Sequence, residues 1–224
     1  VTASHRVDYF VAISQHVARR IHKYYKRDSV IIYPPVESHR FQIADTTEDF
    51  YLIVSALTPY KRIDIAIEAF NQLGLPLVII GDGPLARQLQ AKAGKNITFL
   101  GWQPDPVLAD YFSRCKAFLF CGEEDFGITV LEAHAAGRPV IAFRAGGALE
   151  TVVEGETGMF FDQQNAASLI KAIEKCATLV YEPKKIRERA LIFDRSQFKA
   201  SIEKYVVATF EEHKQKDLSR VQTI

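Results

Sequence analysis

From Tyr51 onward the chain alternates short, unbroken apolar runs with longer stretches whose apolar residues recur at helical spacing. Residues 51–57 predict a strand, and after Thr58-Pro59 the side chains of Ile63, Ala66, Ile67, Phe70 and Leu73 fall on one helix face. A second strand over 77–80 ends at Gly81-Asp82-Gly83-Pro84, where Pro84 suits the first turn of a helix running to about Ala93. A third strand at 97–100 leads to a helix near 106–113, and a fourth at 117–121 to a helix over 127–136. Residues 139–143 and 158–161 supply the fifth and sixth strands, and 166–179 a long helix. Strands that read as continuous apolar runs are covered on both faces, as in a parallel sheet. Six strand-then-helix alternations predict an α/β fold, an open, doubly wound parallel sheet. Ligands of such sheets sit beyond the carboxyl ends of the strands, where the unusual residues of this chain cluster.

The two ends depart from this rhythm. Residues 9–13 predict a strand, followed by a helix with Val17, Ala18, Ile21 and Tyr25 inward and a strand at 30–33. Pro34-Pro35 stiffens an extended linker, and Thr46-Thr47-Glu48-Asp49 is a polar break. So small a unit cannot bury its own apolar face; it is expected to dock on the main domain or to belong to a larger one. At the far end, 199–214 predicts an amphipathic helix with Ile202, Tyr205, Val206 and Phe210 on one side, then a frayed tail.

Composition narrows the functions open to such a fold. With 48% apolar residues the 224-residue chain can bury a full core. Its 28 Lys and Arg against 27 Asp and Glu leave a net charge of +1, without the basic footprint of a nucleic-acid binder. Short basic clusters at Arg19-Arg20, 23–27, and Lys184-Lys185 with Arg187 and Arg189 read as solvated helix faces. Cys115, Cys121 and Cys176 are odd in number and form no C-x-x-C pair, which argues against a disulfide framework or thiolate cage and for a reducing compartment. No H-x-x-x-H pair occurs, no apolar run approaches the ~18 residues of a membrane span, and no signal-peptide pattern opens the chain. It begins at Val1 rather than Met, so further sequence upstream is expected.

The chemistry concentrates in residues 123–133. Glu124 lies on the loop leaving the fourth strand, and Gly127 and Ile128 start the next helix, where about four backbone N–H groups lack intrahelical partners. Such a start accepts anions, and a glycine lets a phosphate come close to the backbone. Glu132 follows one turn on, on the face shared with Ile128 and Thr129. A carboxylate repels phosphate, so Glu132 is better suited to accept hydrogen bonds from hydroxyls. An anionic centre with hydroxylated ends describes a nucleotide sugar; acids that merely favour a helix N-terminus fit the same residues. Lys61-Arg62 follows the first strand on the same sheet edge, and a cation there would neutralise a diphosphate leaving group, although a lone lysine also reads as surface. Gly146-Gly147 would admit a sugar or make a plain turn. His134, inside its helix, reads as packed, and Trp102, after Gly101, as capping the core more than stacking on a base. The 81–84 segment lacks the third glycine of the dinucleotide fingerprint, and no acidic residue ends the second strand, which argues against an NAD-dependent oxidoreductase.

The Glu124/Glu132 pair is an E-x7-E spacing within Glu-Asp-Phe-Gly-Ile-Thr-Val-Leu-Glu-Ala-His-Ala-Ala-Gly-Arg-Pro-Val-Ile-Ala. This stretch resembles the signature of glycosyltransferase family 4, the group 1 glycosyltransferases. So do Pro59-Tyr60-Lys61-Arg62-Ile63-Asp64, Gly81-Asp82-Gly83-Pro84, Phe99-Leu100-Gly101 and Gly146-Gly147, over roughly residues 5–205. The resemblance implies the Rossmann-like C-terminal half of a GT-B fold, which binds the nucleotide-sugar donor, retains anomeric configuration and needs no metal or other cofactor. It implies that Glu124 holds the hydroxyls of the transferred sugar and Glu132 the ribose. Lys61 and the backbone of 126–129 (Phe126, Gly127, Ile128, Thr129) would hold the diphosphate, and the backbone of 100–103, through Gly101, Trp102 and Gln103, would meet the base. Ala56 stands where the family often has a second phosphate-binding arginine, so Lys61 acts alone or with Arg62. The Pro-Tyr-Lys-Arg-Ile-Asp style is shared with mannosyltransferases, which puts GDP-mannose ahead of a UDP-sugar as donor.

By the same resemblance, residues 1–36 are the end of an N-terminal, acceptor-side domain with its linker, 37–198 the donor domain, and 199–224 a helix and tail crossing back. The implied partners are a nucleotide sugar, a saccharide or lipid-linked acceptor and the missing N-terminal domain, with no nucleic acid. The implied location is the cytoplasm or, by peripheral association, the inner face of the membrane. No residue stands out as an enzymic nucleophile, so a same-face displacement is the expected route. A nucleotide-sugar-binding module that works only with a separate subunit is the alternative.

Overall fold

The computed structural model describes residues 5–221. Six parallel strands, β3 (Tyr51–Val54), β4 (Leu77–Ile80), β5 (Ile97–Gly101), β6 (Ala117–Phe120), β7 (Val140–Phe143) and β8 (Gly158–Phe161), form one sheet in the order β5-β4-β3-β6-β7-β8. Counted from β3, that order is 3-2-1-4-5-6, the doubly wound arrangement in which the sheet reverses direction between its two central strands. The apolar runs are strands because both faces are covered. Tyr51, Ile53, Leu77, Ile79, Leu119 and Phe161 face one core, while Leu52, Ile80, Phe118, Phe120 and Val140 face the other. The first core is roofed by α2 (Ile63–Leu73) and α7 (Ala166–Ala177). The second is roofed by α4 (Asp105–Arg114), α5 (Ile128–Ala135) and α8 (Pro183–Leu191). The short α3 (Ala86–Lys92) and α6 (Ala148–Thr151) complete this body.

The N-terminal unit pairs β1 (Val11–Ala12) with β2 (Val30–Ile31) in a separate two-stranded parallel sheet, joined by α1 (Gln15–Tyr25). Both strands are shorter than the apolar runs suggest, and among the described residues no third strand lies beside them to extend the ladder. Ser14 caps α1 by accepting the Val17 N–H at 3.0 Å, a contact worth about 1 kcal/mol. Glu150, far along the chain, accepts the next two free donors, from Gln15 (2.8 Å) and His16 (3.1 Å). The first turn of α1 is thereby docked on α6, and the carboxylate also complements the helix dipole.

Three expectations are corrected. Helix α8 was unread because its sequence, PKKIRERAL, is dominated by charge, yet Ile186 and Ala190 are buried. Arg187 and Arg189 are not a solvated face: Arg187 donates to the carbonyls of Phe41 (2.7 Å), Ser38 (3.1 Å) and Ala135, and Arg189 to those of Thr151 (3.1 Å) and Glu150. The C-terminal helix, α9 (Arg195–Val221), starts earlier and runs past the expected frayed tail; residues 222–224 lie outside the described residues, as do 1–4. Its start is pinned to the linker, where Val36 bridges to Asp194 and Ser38 donates to the Asp194 carboxylate at 2.5 Å. Farther on, the His213 ring lies 6.0 Å from that of Tyr9.

Candidate functional site

The loops leaving β3 and β6 diverge where the strand order reverses, and a cleft of about 940 Å3 opens at the carboxyl edge of the sheet. Its walls come from Ser55 and Ala56 after β3, Gly81 and Asp82 after β4, Trp102 and Gln103 after β5, and residues 123–129 after β6. A 3-10 turn over Pro59–Lys61 carries Lys61 into this cleft. There its Nζ lies 2.6 Å from Glu124 Oε2, with the two side chains only 16% and 19% exposed. Residues 63 positions apart in sequence thus form one charge-paired unit at the centre of the cleft.

The next residue turns the other way. Arg62 has φ +53°, in the left-handed region that side-chain-bearing residues rarely occupy. Its guanidinium binds the Asp64 carboxylate at 3.2 Å and reaches Gln164 Oε1 at 3.4 Å. Arg62 lines an adjoining depression rather than this cleft.

Helix α5 starts at Gly127, whose φ of +86° suits glycine. A Cβ there would lie 2.7 Å from Phe120 Cζ, so the room the glycine leaves is filled by the sheet rather than by the cleft. Ile128 is exposed, Thr129 is partly exposed, and both line the cleft, leaving the first N–H groups of α5 at its wall. Phe126 is buried and stacks on Tyr33 at 5.6 Å, so only its backbone is available to a ligand. Gly146-Gly147 is not at the cleft wall; it packs under the 124–126 backbone, and Gly147 N–H donates to Glu124 O at 2.8 Å.

At the far end, Trp102 is 75% exposed. It lines the cleft rather than capping the core, contrary to the sequence reading, because Gly101 takes a φ of +66° and turns the chain outward after β5. Gln103 is tied down by donating to Leu100 O at 2.7 Å, and Gly101 itself sits behind the wall, accepting the Gly81 N–H. Glu132 is partly buried one turn into α5, outside the lining of the cleft; burial raises its pKa, with Arg40 opposing. His134 is fully buried with Nε2 3.1 Å from Thr157 O, and burial depresses its pKa to about 3, so it is a neutral packing residue. Burial pushes the Cys121 thiol up to about 12. Among the described residues no group of three or more His, Cys, Asp or Glu is placed to hold a metal, and no helix is long and apolar enough to cross a membrane.

Sequence reasoning missed Ser55, Asp82 and Tyr60 as wall residues, and also Glu123 and Asp125 as groups facing the N-terminal helix. Their positions at strand ends were legible, but nothing in their spacing distinguishes them from loop polarity. Residues 35–191 match the family described as Glycosyl transferases group 1. The chain belongs to this family. An uncharacterized glycosyltransferase of Methanocaldococcus jannaschii is 28% identical over 171 residues, 74% of this chain and 48% of the relative. The O-antigen chain mannosyltransferase C of Escherichia coli is 28% identical over 183 residues, again 74% and 48%. A GDP-mannose-dependent alpha-(1-6)-phosphatidylinositol monomannoside mannosyltransferase of Mycolicibacterium smegmatis is 31% identical over 138 residues, 54% and 36%. In structure, the sucrose-phosphate synthase of Thermosynechococcus elongatus superposes with a TM-score of 0.80 at 22% identity, covering 92% of this chain and 59% of that one. Anabaena HepE in complex with UDP-glucose gives 0.77 at 20% identity, covering 90% and 64%. These are likenesses of fold, and the sheet is the Rossmann-like half of a GT-B architecture. The chain spans about half the length of the curated relatives it matches.

Proposed function

We propose that this group 1 glycosyl transferase chain is the donor-binding part of a retaining hexosyltransferase. It serves glycan or lipid-linked saccharide synthesis, with mannose as the preferred sugar. The observation that carries the reading is the Lys61–Glu124 pair, 2.6 Å apart at the switch point of the sheet and beside the start of α5. One partner is suited to a diphosphate and the other to sugar hydroxyls, and each orients the other. In this reading the α5 N–H groups would meet the same phosphates, and the exposed Trp102 ring would stack on the base. In the transfer, the acceptor oxygen bonds to the anomeric carbon as the bond to the diphosphate oxygen breaks, and the hydroxyl proton passes to that departing oxygen. Lys61 and the α5 N-terminus stabilise the charge that builds there, each by about 2–4 kcal/mol in a closed, dry cleft.

Mannose is favoured because two of the relatives are named as mannosyltransferases, one of them GDP-mannose-dependent. Calorimetric titration with GDP-mannose, UDP-glucose, GDP and UDP names the base, and silence with all four ligands would overturn the donor reading. In the same titrations Glu124→Ala is expected to bind nucleoside diphosphate as the parent does but to lose the extra affinity contributed by the sugar. Equal losses for sugar-bearing and plain nucleotides would contradict the role given to Glu124. The chain alone is expected to bind donor yet show no turnover with a lipid-linked acceptor, because the acceptor side of the cleft is contributed mostly by another domain. Detectable product from the isolated chain would refute this.

A further inference from the structure

A second depression of about 620 Å3 lies against the donor cleft, sharing Tyr60, Glu123, Glu124 and Asp125 with it, and its opposite wall is the basic face of α1. The charges in it do not cancel. Two of its three carboxylates pair with cations, Glu124 with Lys61 at 2.6 Å and Asp125 with Arg20 at 2.5 Å, while Glu123 lies 3.8 Å from His16 Nε2, a contact that is an ion pair only with a protonated imidazole. Arg62 is occupied by Asp64. Among the described residues Arg19 and Lys23 have no carboxylate within ion-pair distance, and the Lys23 ammonium sits only over its neighbouring Tyr24 ring at 5.2 Å. They stand four apart on one helix face, where like charges repel unless an anion lies between them.

We propose that Arg19 and Lys23 form a binding site for a phosphate group carried by the acceptor, so that the acceptor substrate is a phosphate ester whose reacting hydroxyl reaches the donor cleft. The two positive charges of Arg19 and Lys23, neither of which has a carboxylate partner among the described residues, match the charge of about −1.5 to −2 on a phosphomonoester at neutral pH. The shared wall at Tyr60 and 123–125 places such a ligand beside the bound sugar rather than across the molecule from it. The site differs from the diphosphate position, since neither Arg19 nor Lys23 lines the donor cleft. The naming of the ligand as acceptor rests on the donor reading above; the phosphate site itself does not.

The test uses this chain with and without saturating GDP or UDP and two phosphate probes. One probe is glycerol phosphate in solution, followed by calorimetry; the other is phosphatidylcholine vesicles with or without phosphatidic acid, a lipid phosphomonoester, followed by co-sedimentation. Binding of either probe is expected, at least tenfold weaker in the double variant Arg19→Ala/Lys23→Ala and with nucleotide affinity unchanged. The charge-keeping pair Arg19→Lys/Lys23→Arg is expected to bind within about threefold of the parent. Binding of the soluble ester points to a free phosphate acceptor, and binding to the anionic vesicles alone to a phosphate presented by lipid. Failure of both probes, undiminished binding by the alanine variant, or a loss in the charge-keeping variant as large as in the alanine variant would overturn the proposal. Phosphate binding that depends on Arg19 and Lys23 without any nucleotide binding would leave the site standing and remove the donor reading.

Discussion

Lys61→Ala is expected to weaken nucleoside diphosphate binding by roughly 30- to 1,000-fold, the equivalent of about 2–4 kcal/mol. Two effects add. The cation facing the diphosphate is lost, and Glu124, only 19% exposed, is left as a carboxylate without its counter-charge beside the incoming phosphates. They separate in a double variant: Lys61→Ala/Glu124→Gln removes the repelling charge and is expected to recover about tenfold of the loss, measured by titration with GDP and UDP. A double variant no better than Lys61→Ala would mean that the pair does not act as a unit in nucleotide binding. The turn that presents Lys61 is held by backbone hydrogen bonds, Lys61 N–H to Thr58 O and Arg62 N–H to Pro59 O, so both variants are expected to keep it, which matching melting curves would check.

The halves of this pair were legible singly and not together. Strand runs such as Leu77–Ile80 and Gly158–Phe161 stand out because burial on both sheet faces demands unbroken apolar sequence, and the structure places both strands at those bounds. The strand order leaves no local mark, so nothing in the chain announces that β3 and β6 are neighbours and that Lys61 meets Glu124. Helix α8 escaped for a different reason. Arg187 satisfies partly buried carbonyls of the linker and α5 and Arg189 those of α6, and a guanidinium used that way is indistinguishable in sequence from one in water. Trp102 shows the converse error. Its apolar bulk suggests burial, but the outcome depended on the φ of Gly101, a backbone property that composition does not record. The capping of α1 by Glu150, across 135 positions, was likewise beyond any periodicity.

Gly147→Ala is expected to be strongly damaging although Gly147 lies off the cleft wall. Its cause is steric, since Gly147 has an ordinary φ of −69° that alanine adopts freely. A Cβ at this position would lie 2.2 Å from Phe126 Cα and 2.5 Å from Phe126 O, atoms of a backbone that cannot rotate away as a side-chain tip would. Beside it, Gly146 holds φ +60° with its own Cβ position 2.3 Å from Glu124 O, and the Gly147 N–H donates to that same oxygen. The two glycines therefore set the height of the Glu124–Phe126 loop above the sheet. Overpacking of this kind costs about 3 kcal/mol, which in a chain of this length lowers Tm by roughly 6–12 °C. Gly155→Ala is the control, because Gly155 has φ +82° but open space around its Cβ position. Its cost is the left-handed strain alone, about 1–2 kcal/mol, with nucleotide affinity unchanged. Gly147→Ala is expected to lower nucleotide affinity at least tenfold even well below its Tm, because displacing 124–126 carries the start of α5, with its free N–H groups, away from Lys61 and the phosphates it would hold. Were the two variants equally mild in both melting temperature and nucleotide titration, the glycine pair would be an ordinary turn, and the position of Glu124 would have to be set by Lys61 alone.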